Sequence, residues 1–144
     1  MNSEKNWFLN WELTMSIDLE IKNIMLTPAD FTVVTSEKPL VTVLEKMSDS
    51  KIGHACIIDQ EFKLLGVFTD GDFRRLILNI QKPLSALLGD DIIKYATSNP
   101  KTVFEDALFS DVKQLMSQNK IWDLPVVDNK NKLLGLIHMS SLLK

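Results

Sequence analysis

The chain has 144 residues, 45% hydrophobic and 24% charged, with a formal net charge of −3 at pH 7. That length supports one ordinary domain or two very small halves sharing a core, and it buries enough surface that no disulfide or metal staple is needed. The slightly acidic balance lacks the footprint of a nucleic-acid binder, and no apolar run reaches the ~18 residues of a membrane span. A single cysteine, Cys56, and an N-terminus without a basic-then-apolar signal pattern imply a cytoplasmic protein in a reducing compartment, with no membrane partner.

Residues 1–18 form an arm carrying Trp7, Phe8, Trp11, Leu13 and Met15. It reads either as a linker tail or helix packed on the rest of the chain, or as a contact surface for a partner or a second copy. Phe31–Thr35 is a β-branched run, a strand by composition. Leu40, Val43, Leu44 and Met47 then recur at helical spacing, with Ser36 as a candidate cap and Pro39 in the first turn. Ala55–Ile58 and Leu64–Phe68 are short apolar runs joined by polar Asp59–Lys63, which predicts adjacent strands and a turn. Phe73, Leu76, Ile77 and Ile80 give a second helical stripe, and Gln81–Gly89, with Pro83 and Gly89, reads as a crossover. The order then begins again: a strand at Thr102–Phe104, a helix over Leu108–Gln118, strands at Leu124–Val127 and Lys132–Ile137, and a helix from about Ser140.

The second pass is a copy of the first. Lys51–Arg75 aligns without a gap on Lys120–Lys144, an offset of 69 (120 less 51). Lys51, Ile52, Asp59, Lys63, Leu64, Leu65 and Gly66 recur as Lys120, Ile121, Asp128, Lys132, Leu133, Leu134 and Gly135. Met47-Ser48 matches Met116-Ser117 at the same offset, and Thr32-Val33 matches Thr102-Val103 one residue further on. A tandem duplication explains the whole set. Its halves, 19–82 and 83–144, are each too small to be comfortable alone, so an α/β (α+β) fold is predicted, with two β-α-β-β-α units packed about a pseudo-two-fold axis.

A β-α-β-β-α unit occurring twice resembles the cystathionine-β-synthase (CBS) domain pair, or Bateman module. The family's third strand ends in glycine, two apolar positions, Thr or Ser, two variable positions and Asp, which Gly66-Val67-Phe68-Thr69-Asp70-Gly71-Asp72 matches. Its second strand often carries Pro-Val-Val-Asp, as Pro125-Val126-Val127-Asp128 does. The stretch Phe68–Arg75 is also similar to the C-terminal tandem of arabinose-5-phosphate isomerases, and a like stretch sits beside some sugar-1-phosphate nucleotidyltransferases.

The charged joint after Gly66 has two readings. Thr69-x-x-Asp72 at a helix start is a capping box, with Arg74 and Arg75 as solvated helix residues. The same geometry favours a ligand, because a helix N-terminus attracts an anionic group and a carboxylate can accept from vicinal ribose hydroxyls. The resemblance implies the second use: Thr69 and Asp72, with Arg75, hold phosphate and ribose, while Thr32, Val33, His54 and Ala55 surround the base. In the second half His138 replaces Thr69 and Ser141 replaces Asp72, which implies one competent and one degenerate site. His138 either faces the ligand's phosphate or is a packed or solvated histidine.

Other chemistry finds little support. Asp70-Gly71-Asp72 lacks the lysine or third acid of a magnesium or phosphotransfer site, and His54, His138 and Cys56 lack zinc-ligand spacing. No catalytic elbow or P-loop is present. The resemblance implies a regulatory module with no required cofactor, and an enzyme in its own right is not expected because the duplication and a short arm account for the whole chain. The same resemblance implies that its ligand is AMP, ATP or a CMP-sugar and that a catalytic domain is attached or associated. The competing reading is a structural dimerisation module with a vestigial pocket. A homodimer built on helix residues such as Leu40, Val43, Leu44, Leu76, Ile77 and Ile80 is expected in either case.

Overall fold

The computed structural model describes residues 19–142. The aromatic arm, with Trp7, Phe8, Trp11, Leu13 and Met15, lies outside the described residues. In the first half, strand β1 (Thr32–Thr35) leads to helix α1 (Leu40–Ser50), strands β2 (His54–Ile58) and β3 (Leu64–Thr69), and helix α2 (Asp70–Asn79). The crossover contains helix α3 (Leu84–Leu88), and the short strand β4 (Thr97–Ser98) follows it. The second half runs β5 (Val103–Phe104), α4 (Phe109–Asn119), β6 (Asp123–Val127), β7 (Leu133–His138) and α5 (Met139–Leu142). One sheet has the order β1-β2-β3-β4 and the other β5-β6-β7. In each, the first two strands are parallel and the next pair antiparallel. The α+β architecture expected from the duplication is present.

The repeat is visible in the backbone itself. Lys51 and Lys120 end α1 and α4 in the left-handed region, at φ 60° and 54°, and Phe62 and Asn131 adopt φ 67° and 65° in the two hairpin turns. Asp59 and Asp128 cap those turns identically, each Oδ1 accepting from two backbone N–H groups at 2.8 and 2.9 Å. The hairpins meet on the pseudo-two-fold: Leu64 N–H donates to Asn131 O at 3.0 Å, and Leu133 N–H to Phe62 O at 2.9 Å.

What leads into each repeat belongs to the other. Leu26 exchanges backbone hydrogen bonds of 2.8 and 3.0 Å with Leu136 on β7, while β4, which leads into β5, pairs with Gly66 and Val67 on β3. This exchange explains the recurring glycine. A Cβ on Gly66 would stand 2.8 Å from Thr97 O, and one on Gly135 only 2.5 Å from Leu26 O. Backbone passes where a side chain would be.

Burial follows the same logic. Every residue of β2 is buried, because Ala55 and Ile57 face α1 and α2 with Phe68, Val43 and Leu76, whereas Cys56 and Ile58 face the other half with Val127, Leu133 and Leu136. A strand covered on both faces has no polar alternation, hence its short continuous apolar run. The second half repeats the helix-facing layer with Val112, Met116, Leu124, Val126 and Ile137.

Two local expectations change. Ser36 does not cap α1; its hydroxyl donates to Glu37 Oε2 at 2.7 Å. Pro39 occupies the cap position, and the Leu40 N–H is satisfied by Asp90 O at 2.9 Å, so the crossover supplies the cap from a distance. Asp90 is anchored in turn by the Lys82 ammonium at 2.5 Å and by the Tyr95 hydroxyl, which together hold its carboxyl below the usual carboxylate range. In the α2 stripe, Leu76 is buried, but Ile77 is 45% exposed and its neighbour Leu78 76%. That helix turns part of its apolar surface outward.

Candidate functional site

The antiparallel register of β2 and β3 sets His54 opposite Thr69, and the register of β6 and β7 sets Asp123 opposite His138. These four strand ends open into one cleft of about 710 Å³ between the halves. Helix α2 starts at its wall. The Thr69 N–H donates to Asp72 Oδ2 at 2.9 Å, and the Asp72 N–H donates to Thr69 Oγ1 at 3.1 Å, so the capping box is formed. Arg75 Nη2 donates to Asp72 Oδ1 at 2.8 Å. An ionised carboxylate has about four acceptor positions. Capping and Arg75 use one on each oxygen, which leaves capacity on both.

The two halves treat their polar atoms differently. His54 is only 3% exposed although it lines the cleft, and its Nε2 has no hydrogen-bond partner. Burial pushes its pKa down, against the smaller opposing pull of Asp123 and Asp72. At the matching place in the second half, His138 Nδ1 donates to Asp123 Oδ1 at 2.6 Å. One half has an unsatisfied imidazole beside a capped helix, and the other has a pair that satisfies itself. Arg74, Arg75, Lys101 and Lys120 stand on the cleft wall against Asp70, Asp72 and Asp123, which gives it a slight excess of positive charge.

Five of the eight residues proposed from sequence, His54, Thr69, Asp72, Arg75 and His138, share this cleft. Thr32 and Val33 instead line a separate depression of about 440 Å³ bounded by Pro28, Lys46 and Asp49. Thr32 Oγ1 is buried without a partner there, and Ala55, its neighbour in the β1–β2 register, is fully buried. Sequence reasoning missed Gly53, Trp122, Asp123 and Lys101, all of which line the larger cleft. The duplication carried a signal for Asp123, which stands at the repeat position of His54. Lys101 carried none, because it arrives through the exchanged lead-in. Among the described residues no group of three or more His, Cys, Asp or Glu is placed to hold a metal. Cys56 is buried, and burial pushes its thiol pKa up.

A duplicated β-α-β-β-α fold, with exchanged lead-ins and one cleft shared by both third-strand ends, defines a two-repeat module whose cleft belongs to neither half alone. The chain belongs to the CBS domain family, whose model matches residues 21–79 and 90–144. It is similar to arabinose 5-phosphate isomerase KdsD of Francisella tularensis, 28% identical over 139 residues, covering 94% of this chain and 40% of that protein. Among solved structures it resembles CBSX2 in complex with AMP (26% identity, TM-score 0.75, 86% of this chain and 92% of that one). It also resembles the CBS domain pair of MJ0100 in complex with 5′-methylthioadenosine and S-adenosyl-L-methionine (22% identity, TM-score 0.73, 87% and 93%). The chain spans between 31% and 40% of the length of the first curated relatives it matches. Among the described residues, no helix is long and apolar enough to cross a membrane.

Proposed function

We propose that this chain is a ligand-sensing regulatory module that binds a nucleotide or nucleotide-sugar in the cleft between its repeats, 19–82 and 83–144. It passes the binding signal to a sugar-phosphate isomerase or nucleotidyltransferase activity on an attached or associated domain. The observation that carries this reading is the cleft that His54, whose buried Nε2 has no partner, lines together with the Thr69–Asp72 helix start. Burying a polar atom without a partner is costly, and a ligand that supplies one removes the cost. The Asp72 carboxylate is suited to vicinal ribose hydroxyls, and the N-terminus of α2, with Thr69 and Arg75, to an anionic group. The AMP complex of CBSX2 supports an adenine nucleotide, and the similarity to KdsD supports the sugar-phosphate setting. Regulation follows from differential affinity: a ligand that prefers one packing of the halves shifts the population toward it, and the catalytic domain senses that packing.

A thermal-shift panel of AMP, ADP, ATP, CMP, S-adenosylmethionine and CMP-sugars tests the reading. A true ligand at about 100 times its dissociation constant should stabilise the fold by about 2.7 kcal/mol. A flat response across the panel would favour the alternative, a dimerisation module with a vestigial pocket.

Leu40, Val43 and Leu76 are buried within the chain and cannot serve a dimer seam; the exposed apolar side chains of Ile77, Leu78, Ile80 and Leu84 support instead a homodimer built on α2 and the crossover. Sedimentation is expected to give a dimer at tens of micromolar, and Leu78→Glu to shift it toward monomer. A wild-type chain that sediments only as monomer there would remove this part of the proposal.

A further inference from the structure

We propose that residues 11–18 seat on this chain's own second repeat and seal the start of α4, as the crossover helix α3 seals the start of α1. The proposal stands whether or not the cleft binds a nucleotide. The two lead-ins are clipped in place by the same hydrogen bonds. In the first repeat Ile92 N–H donates to Lys38 O and Leu40 N–H to Asp90 O, both at 2.9 Å. In the second, Ile21 N–H donates to Ala107 O at 3.0 Å and Phe109 N–H to Leu19 O at 3.1 Å. The chain upstream of Leu19 therefore enters the second repeat where the chain upstream of Asp90 enters the first. In the first repeat that upstream chain is α3, whose Leu87, 1% exposed, closes the helix-facing core that holds the fully buried Leu40. The matching end of α4 is open. Phe109, at the position of Leu40, is only partly buried, and Leu108 is 38% exposed. Leu108 also occupies the N-cap position of α4 and makes no side-chain cap bond. Ser, Thr, Asp and Asn satisfy a helix start, so an exposed leucine there breaks a local rule unless something apolar covers it.

The arm that leads to Leu19 suits that place. Residues 11–18 lie outside the described residues, but in sequence Trp11, Leu13, Met15 and Ile17 alternate with Glu12, Thr14, Ser16 and Asp18. The alternation is in phase with Ile21, which is fully buried in the second repeat's core. Glu20, beside it, has an extended backbone at φ −89° and ψ 147°. Continued upstream, that backbone carries the four apolar side chains on the face of Ile21. Eight extended residues reach about 26 Å, more than the roughly 16 Å length of α4. The tether favours the chain's own repeat over a second copy: Leu19 is already bonded to Phe109, which makes the contact intramolecular.

The test uses the full chain in two forms. One keeps Trp11 as its sole indole (Trp7→Phe, Trp122→Phe), and the other keeps Trp122 (Trp7→Phe, Trp11→Phe). Trp122, 69% exposed, is the solvated reference. Trp11 emission should lie to the blue of Trp122 emission and resist quenching by acrylamide, at tens of micromolar and after dilution into the monomer range alike. Leu108→Ser in the Trp11 form should move that emission to the red. It should also lower the melting temperature, although serine is the better cap for a helix start that nothing covers. A Trp11 as exposed to acrylamide as Trp122 overturns the proposal, and so does Trp11 emission unmoved by Leu108→Ser. Shielding that is lost on dilution assigns the arm to a second copy and overturns its seat on its own repeat.

Discussion

Asp72→Asn is expected to weaken nucleotide binding by about 10- to 150-fold, the loss that corresponds to hydrogen bonds to a charged group worth roughly 1.5–3 kcal/mol. The fold should change little. An amide oxygen can still accept from the Thr69 N–H, as Asp72 Oδ2 does at 2.9 Å, and the Arg75 contact it loses is mostly exposed and therefore weak. A stability loss up to ~1 kcal/mol is the most that an impaired cap should cause. The matching change in the other half, Ser141→Ala, is expected to lower affinity by less than about threefold. Calorimetric titration well below the melting temperature separates the two roles of Asp72. If it only caps α2, stability falls while affinity stays put. Equal losses of binding from both substitutions would sink the one-clamp reading.

Gly135→Ala should destabilise the protein by about 1–3 kcal/mol, the usual range for forcing extra volume into a packed interior. The new methyl would sit 2.5 Å from Leu26 O and 2.7 Å from Met25 Sδ; the thioether can move, but the carbonyl is held by its own hydrogen bond from the Leu136 N–H at 3.0 Å. The strap that ties the N-terminal lead-in to the second sheet has to shift. Gly66→Ala meets Thr97 O at 2.8 Å and should act in the same direction. Gly89→Ala is the control: its nearest neighbours would be 3.8 Å away and its φ is −89°, so the substitution should be neutral or stabilise by up to about 1 kcal/mol. Thermal or denaturant unfolding of the three variants gives the ranking. Equal midpoints for Gly135→Ala and Gly89→Ala would mean that the exchanged lead-in carries no stability.

Much of this fold was legible because duplication repeats local rules. Residues that end a helix in the left-handed region, close a hairpin or cap a turn act within a few positions of themselves. Lys51 and Lys120, or Asp59 and Asp128, therefore announce the same structure twice. The capping box at Thr69 and Asp72 was readable for the same reason. Ser36 was misread because the Leu40 N–H is satisfied by Asp90, some fifty residues away, which no local pattern reports.

The sequence by itself determined that the chain is a tandem of two β-α-β-β-α repeats, that the Thr69–Arg75 joint of the first carries two aspartates and two arginines, and that the second copy of that joint had lost this charge. Only the tertiary structure decided which residues meet. The lead-ins cross to the opposite repeat, which brings Lys101 to the cleft beside the first repeat's strand end and makes any side chain at Gly66 or Gly135 costly. Packing about the pseudo-two-fold sets Trp122, Asp123 and His138 on the same cleft as His54 and Asp72, and it leaves Thr32 and Val33 on a different surface. The reason is one of range. Periodicity and capping are properties of neighbours along the chain, whereas a cleft between two halves is made by residues whose separation in sequence, close to seventy positions here, carries no information about their distance in space.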